Sequence, residues 1–223
     1  MRIRKAFPGP LQRYGLASRG LSTLILFALL LSCTAQQPEG GPVYRSEHGF
    51  TIALPSQWLA VNQLEIGGKE NPIGTDNPRI RDLFTAEGIK ALKEKSRLGG
   101  IELFVNLETS DEAFTESINV QSARGSIAIE QSDAVPACAE TEKRLTTLYG
   151  KPVKMTACNV VKIQRMPAVF MEYQVEKLSL AHAQYLIQLK TDRYVIMTLT
   201  CRPKNLPGLR PQFDAIVASI RAT

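Results

Sequence analysis

The sequence predicts an α+β fold in which helices cover an antiparallel sheet. In the last third, short breaks separate four runs, which indicates consecutive antiparallel strands at about 157–164, 168–177, 181–190 and 193–201. A closing amphipathic helix is indicated by the i, i+3, i+4 and i+7 spacing of Phe213, Ile216, Val217 and Ile220. A further helix is predicted from Cys138 to Tyr149, because Gly150 and Pro152 follow it as stop signals.

The first predicted element is a strand at Phe50–Leu54, whose large apolar residues alternate until Pro55 stops the pattern. Trp58 follows a turn and is expected to pack in the core, since an indole buries a large area. The segment Val61–Asn77 is rich in Gly, Asn and Pro and is interpreted as an irregular loop. A helix is then predicted from the Asn77 cap to Gly99.

The middle of the chain carries weaker signals. Alternation of apolar and polar residues predicts a strand over Ile101–Glu108. Thr109 and Glu112 form a capping-box pattern ahead of Phe114 and Ile118, which predicts a short helix. A weak strand is expected around 126–130. In the last third, the period of two places apolar side chains on a common strand face for Val169, Met171, Tyr173 and Val175, and again for Val195, Met197, Leu199 and Cys201.

The amino-terminal segment is typical of a signal peptide. Five basic residues precede the eleven-residue hydrophobic segment Leu21–Leu31, and small Ser32 stands just before Cys33, as cleavage requires. Leu30-Leu31-Ser32-Cys33 resembles the lipobox of bacterial lipoproteins, in which the cysteine thiol and the new amino terminus are acylated. We therefore predict a lipoprotein signal peptide over 1–32 and lipidation at Cys33, which makes this residue a membrane anchor.

This segment has two other interpretations. A spanning helix needs about 20 apolar residues, and this segment is too short for that. A plain secretory signal with Cys33 present by chance is the remaining alternative. Residues 33–42 are expected to form a flexible tether, because they lack large apolar residues and contain two prolines and two glycines. Thr34, rather than Asp, follows the cysteine, which favours the outer membrane over the inner one if the host has both.

Charge excludes one class of partner. The first 32 residues hold five of the 27 basic residues and none of the 21 acidic ones, so the mature chain has 22 basic against 21 acidic residues. A strongly basic domain would indicate nucleic acid or an anionic membrane as a partner. The mature chain has no such excess, and nucleic-acid binding is excluded. Residues 43–223 fit the length and composition of a single globular domain.

Export would place three further cysteines where disulfides persist. We expect Cys138 to pair with Cys158, because Cys138 begins a helix and Cys158 lies near a strand start, so the intervening segment can return. Pairing of Cys158 with Cys201 is the alternative, although Cys201 lies on an apolar strand face, where a free cysteine packs as a small hydrophobe. Three reduced, buried cysteines remain possible, since spacing alone does not determine pairing.

The sequence offers no catalytic, cofactor or metal site. His48 and His182 lack the spacing of a zinc motif. Gly67-Gly68-Lys69 is interpreted as a turn, because it lacks the rest of a phosphate-binding loop. Glu172 and Glu176 are expected to be solvated carboxylates on one strand. Asp192-Arg193 is expected at a hairpin turn.

The order of elements resembles the PsbP-like and DcrB-like domains, which include many small bacterial lipoproteins. The matching pieces bracket residues 44–221 and comprise 49–58 near the start, Arg165-Met166-Pro167-Ala168 before a strand, and the closing 213–221. The resemblance implies an α/β/α sandwich around an antiparallel sheet and a mostly non-catalytic accessory, assembly or binding role. It supplies no catalytic residues.

The sequence therefore predicts a lipid-anchored accessory or binding domain that faces the periplasm and acts on an envelope protein partner. The alternative is a small-molecule-binding or hydrolytic protein that uses the loop Val61–Asn77, because long irregular loops are often functional.

Overall fold

A computed structural model of the chain describes residues 42–61, 94, 100–111 and 113–223. Cys33, the tether apart from Pro42, and most of the predicted loop and helix over 61–99 lie outside these residues. We number the strands and helices in chain order: β1 Val43–Ser46, β2 Phe50–Ala53, β3 Trp58–Ala60, β4 Glu102–Asn106, β5 Ser117–Arg124, α1 Gln131–Tyr149, β6 Lys154–Ile163, β7 Met166–Val175, β8 Leu180–Lys190, β9 Arg193–Cys201, α2 Leu206–Ala218 and β10 Arg221–Ala222.

The described strands form two antiparallel sheets. The large sheet has seven strands in the order β3-β4-β5-β9-β8-β7-β6, and the small sheet has the order β1-β2-β10. The predicted α+β class is confirmed, and so are the four consecutive strands of the last third, which pair as neighbours from β6 to β9.

Helices α1 and α2 cover opposite faces of the large sheet. Alternate residues of β7 show this arrangement directly, because Val169 and Met171 pack with Cys138 of α1, whereas Phe170 belongs to the core under α2. The α2 side is the larger core, and its helix contributes Leu209, Phe213, Ile216 and Val217, all of them buried. The predicted apolar faces of β7 and β9 are therefore the surfaces that receive α1 and α2.

The small sheet attaches to β4 through a buried carboxylate. Glu102 is 2% exposed; its Oε2 accepts a hydrogen bond from Ser46 Oγ at 2.8 Å and its Oε1 accepts the Glu47 backbone N–H at 2.7 Å. The strand predicted over Ile101–Glu108 exists, but its polar face is buried as well. Trp58 is also buried, as predicted, and its Nε1 donates to Gln212 Oε1 in α2 at 3.2 Å.

The helix predicted from Thr109 to Ile118 is wrong. The Asn106 side-chain Oδ1 accepts the backbone N–H groups of Glu108 and Thr109 at 2.9 and 3.0 Å, and the Thr109 hydroxyl bonds to the same oxygen. These bonds fold residues 106–109 into a turn, because an asparagine side chain that accepts the N–H groups two and three residues on offers the backbone an alternative to a helix. Ile118 then lies fully buried in β5.

Two boundaries and one strand also differ from prediction. No strand forms over 126–130, since β5 ends at Arg124 and the Ile127 N–H is taken by the side chain of Gln188 at 2.9 Å. Helix α1 begins at Gln131, seven residues before the predicted start, and α2 begins at Leu206. The end of α1 is as predicted, because Gly150 adopts φ 61°, a left-handed conformation that glycine takes without strain.

Candidate functional site

A disulfide links α1 to the edge strand of the large sheet. It joins Cys138 to Cys158, whose Cα atoms are 6.4 Å apart, and leaves Cys201 as a free, buried thiol. This is the pairing expected from the sequence, and neither the Cys158–Cys201 pair nor a fully reduced set is present. Cys33, the predicted lipidation site, lies outside the described residues.

An apolar cleft opens beside this disulfide. It holds about 180 Å³ and separates the first half of α1 from the sheet, with walls that include Ala134, Ile127, Val169, Met171, Leu186 and Tyr194. Two of the residues that α1 contributes to the lining, at 134 and 137, are alanines. The cleft has the chemistry of a site for a small apolar molecule.

A buried histidine lies on the same sheet face, near the end of α1. The His182 ring stacks on Tyr173 with centroids 4.7 Å apart, its Nδ1 lies 3.0 Å from Thr200 Oγ1, and its Nε2 lies 3.4 Å from the Tyr149 hydroxyl. Burial lowers the pKa of His182 to about 4 and raises that of Tyr173. The imidazole is therefore neutral at physiological pH and is held as a core group.

A second polar cluster lies under the start of α2, on the opposite face. Glu116 is fully buried; its Oε1 accepts Asn205 Nδ2 at 2.6 Å, and its Oε2 has no hydrogen-bond partner among the described residues. The backbone N–H of Asn106 donates to the Glu116 carbonyl at 2.9 Å. The Asn106 side-chain Nδ2 also has no hydrogen-bond partner among the described residues. Burial, together with the charges of Glu116 and Glu172, raises the pKa of Cys201 to about 12. That thiol stays protonated.

A half-buried ion-pair network ties α2 to β7 and β8. Arg210 bonds Glu172 and Asp214, each at 2.7 Å, and the Tyr185 hydroxyl donates to Asp214 at 2.9 Å. The expectation that Glu172 is a solvated carboxylate is therefore wrong, because its side chain is only 22% exposed and is paired. Glu176 is exposed, in a 3-10 turn after β7.

The remaining predicted positions lie in or next to turns where the structure describes them. His48 lies in the turn between β1 and β2, and Thr191-Asp192 form the hairpin turn before Arg193. Gly67-Gly68-Lys69 lies outside the described residues. Within the described ranges, no group of three His, Cys, Asp or Glu side chains is placed to hold a metal ion, and no helix is both long and apolar enough to span a bilayer.

Two of these residues, Glu116 and Arg210, were not predicted from the sequence. Glu116 meets Asn205 across 89 residues and Arg210 meets Glu172 across 38, so no local pattern marks these contacts. The chemistry that the described polar groups offer is limited, because His182 is a neutral, buried base and Cys201 is a protonated, buried thiol. The open feature among them is the apolar cleft beside α1.

Comparison with known proteins supports the fold. No protein-family model matches the chain, and no curated protein sequence matches it. Among solved structures, cyanobacterial PsbP from Synechocystis sp. PCC 6803 is similar at a TM-score of 0.50 and 11% identity, covering 87% of this chain and 99% of that one.

Two further structures are more distant. Pseudomonas aeruginosa PA94 has a TM-score of 0.39 at 23% identity and covers 55% of this chain and 83% of its own. The Saccharomyces cerevisiae Ran-binding protein Mog1p has a TM-score of 0.41 at 14% identity and covers 82% and 96%. Of these three, PsbP alone reaches 0.50, and the PsbP-like fold of this chain rests on that comparison.

Proposed function

We propose that this chain is a lipid-anchored, non-catalytic accessory or binding protein of the bacterial cell envelope. The observation that carries the proposal is the segment Leu30-Leu31-Ser32-Cys33 after a basic leader and a hydrophobic stretch. Cleavage before Cys33 would leave an acylated cysteine, a ten-residue tether over 33–42 and a PsbP-like domain from Val43 onward. The DcrB-like lipoproteins are the group to which we assign it.

The disulfide supports an exported location. Cys138 and Cys158 are bonded, and disulfides persist mainly in oxidising compartments such as the periplasm. Thr34 after the cysteine favours the outer membrane. The protein would then face the periplasm and meet an envelope protein partner through its folded surface.

The pKa values of two buried groups and the ion pair of a third support the proposal that the protein is non-catalytic. A nucleophilic cysteine needs a lowered pKa, and that of Cys201 is raised to about 12. A histidine base needs a pKa near the working pH, and that of His182 is lowered to about 4. Glu172 is engaged by Arg210. These groups hold the fold together and do not form a reaction centre.

The anchor is tested with the full chain expressed in a bacterium with two membranes. We expect fatty-acid label and a mature amino-terminal peptide that starts at acylated Cys33, with the protein in the membrane fraction. Cys33→Ala should lose both the label and the membrane association, whereas the control Cys201→Ala should keep both. A mature chain that begins elsewhere, or that carries no acyl group, would contradict the proposal.

The accessory role needs its own test. Cross-linking in intact cells should capture the same discrete partner with the wild-type chain and with His182→Phe, because a binding role does not need a histidine base. Capture of no discrete partner, together with no phenotype on deletion under envelope stress, would contradict it.

Small-molecule binding is the second candidate, and the apolar cleft beside α1 is the observation that favours it. Apart from Val61, the predicted loop Val61–Asn77 lies outside the described residues. A hydrolytic role of that loop therefore stays a prediction.

The cleft is tested with two matched variants of α1. Ala137 is exposed and lines the cleft, whereas Ala139 is exposed and does not line it. Indole or benzene should shift the Met171 methyl resonance of the wild-type protein and of Ala139→Leu, but not that of Ala137→Leu. Equal shifts in all three proteins, or none, would rule the cleft out.

A further inference from the structure

An open, charged groove lies at one end of the large sheet. Arg124 at the end of β5 and Lys190, Asp192 and Arg193 around the β8–β9 turn line a space of about 480 Å³. None of its three cations forms an ion pair with a described residue. Asp192 is the one acidic side chain in the lining. The groove therefore has an excess of unpaired positive charge.

Hydrogen bonds hold the backbone of this groove in place. The Gln188 Nε2 donates to the carbonyls of Gly125 at 3.1 Å and Arg193 at 3.3 Å, while its Oε1 accepts the Ile127 N–H at 2.9 Å. The Gly125 N–H donates to the Asp192 carbonyl at 2.8 Å. The Gln188 side chain thus connects the end of β5 to the β8–β9 hairpin. The backbone that carries the three cations is therefore held in place by hydrogen bonds.

The groove adjoins the element that follows the tether. Gly49, in the β1–β2 turn, adopts φ 86°, and a Cβ atom built there would lie 3.5 Å from Nη2 of Arg193. Strand β1 begins at Val43, which is 71% exposed, and it also carries exposed Arg45. The chain from Cys33 to Val43 can extend at most about 35 Å. Four residues of β1 separate Val43 from the turn that holds Gly49, about 10 Å at the usual rise per residue. The tether is therefore long enough for this groove to reach the bilayer that holds the anchor.

The charge complement of this groove is an anionic headgroup. Although the mature chain is close to neutral overall, the fold brings three unpaired cations together. A basic patch acts as a second membrane signal beside a lipid anchor, because anionic lipids attract nearby Lys and Arg side chains. We propose that Arg124, Lys190 and Arg193 dock on anionic phospholipid headgroups of the membrane that holds the Cys33 anchor; this rests on the proposed lipid anchor.

Docking would set the orientation of the domain. Strand β9 runs from Arg193 at the groove to Cys201 at the opposite end of the sheet, a distance of about 26 Å at the usual rise per residue. The end that carries Arg202 and Asp111 then points into the periplasm. That end, rather than the basic groove, is presented to a protein partner.

The test uses the full lipidated protein on vesicles of phosphatidylcholine, with or without phosphatidylglycerol. Lys190 is the reporter, and its rate of acetylation by a water-soluble reagent is measured by mass spectrometry beside exposed Lys177 at the opposite end. Anionic lipid should slow Lys190 modification roughly fivefold and leave Lys177 unchanged. Salt at about 1 M, where the Debye length is about 3 Å, should restore the Lys190 rate.

Matched variants separate the groove from charge in general. Arg124→Gln with Arg193→Gln should abolish the protection of Lys190, whereas Lys151→Gln with Lys154→Gln, exposed at the other end, should preserve it. Equal Lys190 rates on both vesicles, with the protein still anchored, would overturn the docking. Equal protection on neutral vesicles with inorganic phosphate would also overturn it, in favour of a soluble anion. Loss of the protein from neutral vesicles would instead contradict the lipid anchor.

Discussion

Arg210 of α2 reaches across the helix–sheet interface and places its Nη1 2.7 Å from Oε2 of Glu172 on β7. The guanidinium lies over the Phe170 ring, with Cζ 3.8 Å from the ring centroid. The two side chains are only 24% and 22% exposed. The pair therefore fixes the position of α2 on the sheet with both charge and packing, since arginine stacks on aromatic faces while its fork binds a carboxylate.

Arg210→Met should destabilise the protein by about 2 kcal/mol, a value between those for exposed and fully buried pairs. The loss arises because Glu172 keeps its charge at a half-buried position without its partner. Urea unfolding of Arg210→Met, Glu172→Gln and the double variant gives the coupling energy between the two residues.

The exposed pair Arg144–Glu140 in α1 is the matched control, because it has a similar N–O contact at 3.1 Å but 78% and 54% exposed side chains. Arg144→Met should change the free energy of unfolding by no more than about 0.5 kcal/mol. Equal losses at the two sites would show that burial of the Arg210 pair contributes nothing.

The hairpins of the last third were predictable because each strand of β6–β9 pairs with its neighbour in sequence. Alternation and turn residues are local signals, and they suffice when the partner strand comes next. The closing helix was predictable for the same reason, since Phe213, Ile216 and Val217 show its buried face within two turns. The Cys138–Cys158 pair also depends on two adjoining elements.

The errors occur where a distant partner decides the local structure. The capping-box pattern at Thr109 predicted a helix, but the chain must turn there so that β5 can lie between β4 and β9. Glu172 looked solvated because Arg210, its partner, lies 38 residues along the chain. Glu116 has no sequence signal at all, since Asn205 and its neighbours supply its environment from the far end of the chain.

Loss of the disulfide should lower the free energy of unfolding by about 3 kcal/mol, because a bridge over roughly 20 residues restricts the unfolded chain to that extent. Cys138→Ala with Cys158→Ala should show this loss in denaturant unfolding. Reduced wild-type protein should match the double variant, and Cys201→Ala should respond to reductant as the wild type does. Reduction that leaves the transition midpoint unchanged would contradict this prediction.

Cys201 should resist alkylation in the folded protein. Its side chain is 0% exposed and its thiol pKa is raised to about 12, so both access and thiolate formation are suppressed. Iodoacetamide with mass mapping should leave Cys201 unmodified under native conditions and modify it after unfolding without reductant. Native alkylation at a rate typical of free cysteine would show that the α2 core opens readily.

His182 should make the protein less stable in mild acid. Its pKa is about 4 when folded and 6.5 as the ordinary value, so between these pH values the unfolded chain binds a proton that the folded protein does not. The free energy of unfolding should fall by up to about 3 kcal/mol as pH drops from 6.5 to 4, and this residue contributes no slope above that window. Urea unfolding across this range measures the slope, and NMR titration of the ring gives the pKa directly.

Two variants identify burial as the cause of this slope. His182→Phe retains an aromatic ring against Tyr173 and removes the titrating group, so the slope between pH 6.5 and 4 should become shallower. Tyr149→Phe removes the hydroxyl that lies 3.4 Å from Nε2 but leaves the ring covered, so the slope should persist. A slope that disappears in Tyr149→Phe would mean that the hydrogen bond, and not desolvation, keeps His182 neutral.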